Sequence, residues 1–234
     1  MSSARNPGRV AGFIYLVLSI IAPFRLMYIP NALFVRGNAT ATANNIVAHE
    51  TLFRLGIVSD LISGVIVIFL ALALYRLFKG VDQNLAVLMV ILGGVLPSAI
   101  DFFNVLSDAA AMMLARGADF LSVFDQPRRN ALAMLFLRLH DHENFAAEIF
   151  WGLWLIPLAI LVYRSGFLPR FLGINGFAYV ALSFTGWLLP QYYAGAFNSA
   201  FPVLFGELAF MLWLVIKGAK PKPSVAPLSS AAGG

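Results

Sequence analysis

Long apolar runs separated by short polar breaks make up nearly the whole chain, and each run is close to the length that crosses a bilayer. A membrane-spanning helix needs roughly 20 predominantly apolar residues. Six segments meet that requirement. The first runs from about Arg9 to Tyr28 and is predicted to end at Pro30; the second covers about Thr51 to Phe78 and is closed by Gly80. The third starts near Asn84, is apolar to Phe103, and keeps a helical pattern to Arg116, where Gly117 offers a C-terminal stop. The fourth starts at Asp125, with that aspartate as N-cap and Pro127 in the first turn, and runs to about Tyr163. The fifth covers about Arg170 to Leu189 and the sixth about Phe197 to Ile216. The third and fourth are longer than a bilayer needs, so they are expected to project beyond it as a hairpin around Gly117 to Arg129.

The predicted fold is therefore all-α: an integral membrane bundle of six transmembrane helices over residues 1–217. A Pro-, Ser- and Gly-rich segment, 218–234, follows and is expected to be a disordered tail. The first span follows Arg5 and Arg9 like a signal peptide. It runs past Ile20 into Pro23-Phe24-Arg25 without a small-x-small cleavage site, so it reads as an uncleaved first helix.

Composition narrows the class further. The chain is 60% hydrophobic and 12% charged, against roughly 25% charged for a soluble domain, which excludes an ordinary soluble globule. The net charge of +5 points to no nucleic acid, because the basic residues flank apolar segments as topogenic charges do. The absence of cysteine removes disulfides, thiolate zinc sites and cysteine nucleophiles.

Lys and Arg also set the expected orientation. With the N-terminus inside, the inner segments hold nine: Arg5, Arg9, Arg76, Lys79, Arg164, Arg170, Lys217, Lys220 and Lys222. The outer segments hold Arg36, Arg116, Arg128 and Arg129, with Arg25, Arg54 and Arg138 at or near outer helix ends. Short loops next to the spans decide topology, so both termini are expected to be cytoplasmic. Only Asp82 of the eleven acidic residues then lies inside.

Four stretches carry a resemblance: AGFIYL at 11–16, ATANNIVAHETLFRLGIVSDL at 41–61, ALYRLFK at 73–79 and EIFWGLWLIPLAILVYRSGFLPRFLG at 148–173. In these the chain resembles a bacterial multi-pass membrane protein family, domain of unknown function 4386. The likeness covers nearly all of the chain apart from the tail. It implies a helical protein of the bacterial plasma (inner) membrane and carries no activity with it.

Polar residues inside the apolar segments are the candidates for function. Residues three, four and seven apart share a helix face, which aligns Asp101, Asn104 and Asp108 in the third helix and Asp141, Asn144 and Glu148 in the fourth. Both stripes fall at outer ends, where four carboxylates would come close. Arg54 lies near the outer surface of the second helix, with Asp60 roughly 13 Å in at 1.5 Å per residue. Gly56, Ser59, Ser63 and Gly64 share much of the Asp60 face and admit a close neighbour. Glu207 sits at similar depth in the sixth helix. The plain structural reading pairs Arg25, Arg54 and Arg138 with acids to hold helices in register. Seven acids in or near spans exceed three arginines, and the excess points to water, a cation or a cationic substrate between the helices.

Histidines and aromatics add detail. His49, His140 and His142 all fall on the outer side, and imidazole with carboxylate suits a divalent metal. A metal site would draw on His49, His140 and Asp141 or Glu148; no HExxH or HxxxH pair exists, and no cofactor is otherwise implied. Trp187, Tyr192 and Tyr193 read as interfacial anchors. Trp151 and Trp154 form a wall one turn below Glu148 that packs helices or faces a cation. No Walker loop, GxGxxG turn or GxSxG elbow occurs, and no serine stands at useful spacing from a histidine.

Three functional classes follow. The first is a non-enzymatic protein that binds or passes a small polar or cationic solute through an outward-facing pocket. The pocket would draw on Arg54, Asp60, Asp101, Asn104, Asp141, Asn144, Glu148 and Glu207. The second is a structural or regulatory component that docks a partner through the hairpin. The third, ranked last, is an intramembrane metal-dependent hydrolase with Glu148 as base. The sequence does not set the oligomeric state.

Overall fold

The computed structural model describes residues 6–166, 168 and 175–220, and among them it is helical throughout with short connections. Helix α1 is Pro7–Leu33, α2 Ala39–Ala48, α3 Glu50–Phe78, α4 Gln83–Arg116 and α5 Gln126–Ser165. Helix α6 is Asn175–Leu188 and α7 Tyr193–Ile216. Four of these, α1, α3, α4 and α5, are each long and apolar enough to cross a membrane. A fifth crossing exists if Pro190–Ala200 and Phe205–Ile216, bent by 41°, form one span. The predicted fifth segment corresponds to α6, which has 14 described residues; the start of that segment lies outside the described residues.

The caps follow the sequence closely. Gly117 ends α4 with a positive φ of 72°, a conformation that lacks steric cost only without a Cβ. The Asp125 carboxylate accepts from Arg128 N at 2.9 Å and opens α5. Asn6 opens α1, accepting from the amides of Gly8 and Arg9 at 3.1 and 3.3 Å.

Pro30 does not end the first helix as expected. Helix α1 continues to Leu33 because the turn before the proline widens. Residues Phe24–Tyr28 form a π-helical turn in which Ile29 N–H donates to Phe24 O. Helix α4 repeats the device: Ile91–Val95 is π-helical, Leu96 N–H donates to Ile91 O, and Pro97 follows. Proline lacks an N–H and its ring crowds the carbonyl four residues back. A wide turn just upstream absorbs both problems, and such turns recur where function needs an irregular helix.

Glycine lets the helices approach. A Cβ on Gly12 would sit 2.7 Å from Val215 N on α7, and one on Gly94 would sit 2.8 Å from Ala71 Cβ on α3. Residues Gly218 and Ala219, expected in the tail, instead pack on the start of α1: Gly8 N donates to Ala219 O, and Ala219 N to Asn6 Oδ1, both at 3.0 Å. The rest of the predicted tail, 221–234, lies outside the described residues.

Two apolar clusters bracket a polar layer. One gathers Leu74, Leu77, Met89, Leu161 and Leu214 near the chain termini. The other gathers Ile29, Phe53, Leu114 and Leu137 towards the α4–α5 hairpin. Between them in helix register stand Arg25, Asp60, Asp101, Asp108, His140 and Glu207. Apolar packing on both sides fixes the position of these side chains along the bundle.

Candidate functional site

The polar layer contains a cavity of about 280 Å³. Helix α3 contributes Asp60 and Ser63, α4 contributes Asp101 and Asn104, α5 contributes Asn144, Trp151 and Trp154, and α7 contributes Glu207. Tyr15, Ser19 and Pro23 of α1 close it. Both irregular turns border the space: Pro23 directly precedes the α1 π turn, and Gly93 lies inside that of α4. Among the described residues the lining holds three carboxylates and no lysine, arginine or histidine.

Its polar groups are partly spoken for. The Tyr15 hydroxyl donates to the Glu207 carboxylate. Asn104 Nδ2 donates to Asn144 Oδ1 at 3.0 Å, which leaves the buried Asn104 Oδ1 without a hydrogen-bond partner. Ser63 Oγ is likewise buried and unpartnered. Orphaned acceptors in a bundle interior are costly unless a ligand or water meets them.

Behind the cavity lies an ion chain. Arg25, 1% exposed, donates from Nε and Nη2 to Oδ2 and Oδ1 of Asp108 at 2.6 and 2.5 Å. The guanidinium also stands 5.6 Å from the Phe34 ring centre, and Gly56 leaves it room, since a Cβ there would lie 3.2 Å from Arg25 Cδ. His140, fully buried, places Nδ1 3.3 Å from Asp108 Oδ1 and Nε2 3.9 Å from Asp60 Oδ2. Asp60 thus belongs to the cavity wall and to the ion chain at once.

This is also where a metal would have to sit among the described residues. Ligand atoms of Asp60, Asp108 and His140 all lie within 4.8 Å of one another. The fit is poor in two respects. Arg25 already takes both oxygens of Asp108, and the two acids face different nitrogens of one imidazole ring. The set reads as a chain of alternating charges better than as a chelate.

The sequence-predicted residues fall into distinct groups. Asp60, Asp101, Asn104, Asn144 and Glu207 share the cavity. Arg54 does not reach it; half-exposed at the surface, it pairs with Glu50 at 2.7 Å, and Arg116 joins the same carboxylate at 3.1 Å. Asp141 stays partly exposed, 4.0 Å from Arg138. Glu148 turns to α7 and accepts from the Tyr193 hydroxyl, so Tyr193 tethers α7 to α5. Trp187 and Tyr192 are exposed. His49 is exposed at the α2–α3 junction and does not join His140, Asp141 and Glu148 in one ligand set. Asp108, Asp141 and Glu148 therefore meet separate partners instead of one another, and Asp101 lines the cavity. Sequence reasoning did not anticipate Tyr15, or the burial of His140 between two acids.

A family model described as Domain of unknown function (DUF4386) matches residues 10–218. The chain belongs to this family. The DUF4386 match contains every cavity-lining residue, from Tyr15 to Glu207, together with the ion chain behind them. An uncharacterised protein of Archaeoglobus fulgidus is 34% identical over 91 residues, covering 36% of this chain and 54% of its own length. The chain thus spans about half the length of this curated relative. No solved structure matches.

Proposed function

We propose that this protein is a multi-pass protein of the bacterial plasma membrane that binds a small cationic solute in the cavity between its helices and passes it across. In this reading six helices cross, both termini are cytoplasmic, and the cavity draws solute from the outside. The bias of Lys and Arg towards one set of short loops supports that orientation.

A single observation carries the reading: Asp60, Asp101 and Glu207 line one cavity with no basic side chain in its wall among the described residues. Arginines that could neutralise Asp60 and Asp101 are engaged elsewhere, Arg25 with Asp108, Arg54 with Glu50 and Arg138 with Asp141. Carboxylates gathered between membrane helices are costly unless a positive charge reaches them. Trp151 and Trp154 supply the aromatic faces that attract an ammonium group, worth up to about 2 kcal/mol when desolvated. The volume of about 280 Å³ is at the small end for ligand pockets and suits a small solute.

Calorimetric titration of the purified chain with methylammonium and tetramethylammonium chloride tests this. Binding is expected for the wild type and is lost in Asp60→Asn, Asp101→Asn and Glu207→Gln when each variant remains monodisperse. Unchanged binding in all three, or none in the wild type, refutes the proposal.

A further inference from the structure

His140 stands between two carboxylates, with a different ring nitrogen facing each: Nδ1 is 3.3 Å from Asp108 Oδ1, and Nε2 is 3.9 Å from Asp60 Oδ2. The ring is fully buried, and Nδ1 has no hydrogen-bond partner. A neutral imidazole has one N–H and one lone pair, whereas an ionised carboxylate only accepts. Between two ionised carboxylates, a neutral His140 would turn a lone pair towards one of them. One additional proton removes the conflict.

Asp108 is not where that proton resides, because Arg25 donates to both of its oxygens. Two arrangements remain, and they differ by one transfer. Either Asp60 is a carboxylic acid facing Nε2 at 3.9 Å while Nδ1–H faces Asp108, or His140 is an imidazolium facing two carboxylates. Charge counting agrees. Arg25, Asp60 and Asp108 with a neutral His140 sum to one negative charge, which one proton or one monovalent cation beside Asp60 would cancel.

We infer that Asp60 and His140 share one proton, and that a cation entering the cavity displaces it, so that the site exchanges cation for proton. The inference rests on the cation-binding reading above and adds its coupling ion. On binding, the O–H bond of Asp60 or the N–H bond of His140 breaks and the proton leaves to water. The cation takes its place beside the Asp60 carboxylate, and the local charge is unchanged. On release the proton returns. The other ionisable groups nearby are Asp101 and Glu207 across the cavity, Asp141 against Arg138, and Glu143 beside Ser107. Of the cavity carboxylates, Asp60 is the one that pairs with His140.

The test titrates the full-length purified chain with methylammonium chloride in weakly buffered solution, recording the pH change, over about pH 5 to 9, a range that brackets ordinary imidazole titration. Roughly one proton is expected per cation bound at the acid end and none at the alkaline end. Apparent affinity then falls about tenfold per pH unit at the acid end, as one-for-one competition requires. Equal affinity throughout with no proton released overturns the inference while leaving cation binding intact. No binding at any pH removes both. His140→Gln keeps a hydrogen-bonding side chain that cannot carry a charge, and is expected to move the midpoint of proton release by about one pH unit or more. A midpoint that stays put removes His140 from the exchange. If that variant does not fold, the proton count of the wild type still decides.

Discussion

Gly93 faces the indole of Trp154 so closely that a Cβ on the glycine would lie 2.6 Å from the ring. The relationship joins the π turn of α4 to the cavity wall, since both residues line the cavity. Gly93→Ala is expected to push the ring out of place, costing about 1–3 kcal/mol as overpacking does. Cation binding should weaken by about tenfold or more, equivalent to 1.4 kcal/mol lost at the aromatic wall. Thermal unfolding in detergent beside calorimetry separates the two effects. Full stability and unchanged binding in Gly93→Ala would rule out this packing.

Arg25 and Asp108 give the second prediction. The pair is fully buried and bidentate, so removing either partner strands a charge between membrane helices. Arg25→Met and Asp108→Leu are each expected to cost about 3–5 kcal/mol. The double variant Arg25→Met with Asp108→Leu is expected to regain most of that, because a buried ion pair adds little over an apolar pair of similar volume. A double-mutant cycle read by thermal unfolding measures the coupling. Additive losses would show that the two residues act separately.

How much of this was legible beforehand depended on the kind of signal. Helix existence, the α4–α5 hairpin and the caps at Gly117 and Asp125 follow from local chemistry, which a sequence states directly. The face shared by Asp101, Asn104 and Asp108 was legible too, but depth along it was not. Asp101 and Asn104 border the cavity, while Asp108, about one turn beyond Asn104, meets Arg25. His140 sits in LRLHDHENF, a stretch so polar that it reads as exposed. Its burial comes from the surrounding helices, and packing between distant segments leaves no local mark. The same holds for Glu148, whose partner Tyr193 is 45 residues away. The wide turns at Phe24–Tyr28 and Ile91–Val95 were signalled only by the prolines that follow, and a proline alone reads as a helix end.

Asn6 caps α1 and also receives the amide of Ala219, so one side-chain oxygen accepts from three amides. Asn6→Ala is expected to cost about 1–2 kcal/mol, at the upper part of the range for a lost N-cap. It should also loosen the end of α7 from α1, raising hydrogen exchange at Gly8 and Ala219. Asn6→Asp keeps the acceptor and is expected to keep both the stability and the protection. Protection at Ala219 that survives Asn6→Ala would mean the latch does not depend on this oxygen.

The orientation of the polar layer decides which compartment feeds the cavity, and the chain is suited to measuring it because it contains no cysteine. Ser122 lies exposed in the α4–α5 connection, and Gly80 lies exposed between α3 and α4, where an added side chain meets nothing within 4 Å. In intact cells a membrane-impermeant maleimide is expected to label Ser122→Cys. Gly80→Cys is expected to react only after permeabilisation, because Lys79 and Arg76 hold that loop inside under the positive-inside rule. The reverse pattern would turn the acid-rich end to the cytoplasm. A solute would then enter from within, and an exchange of cation for proton at Asp60 would take up solute from the cell interior instead of the outside.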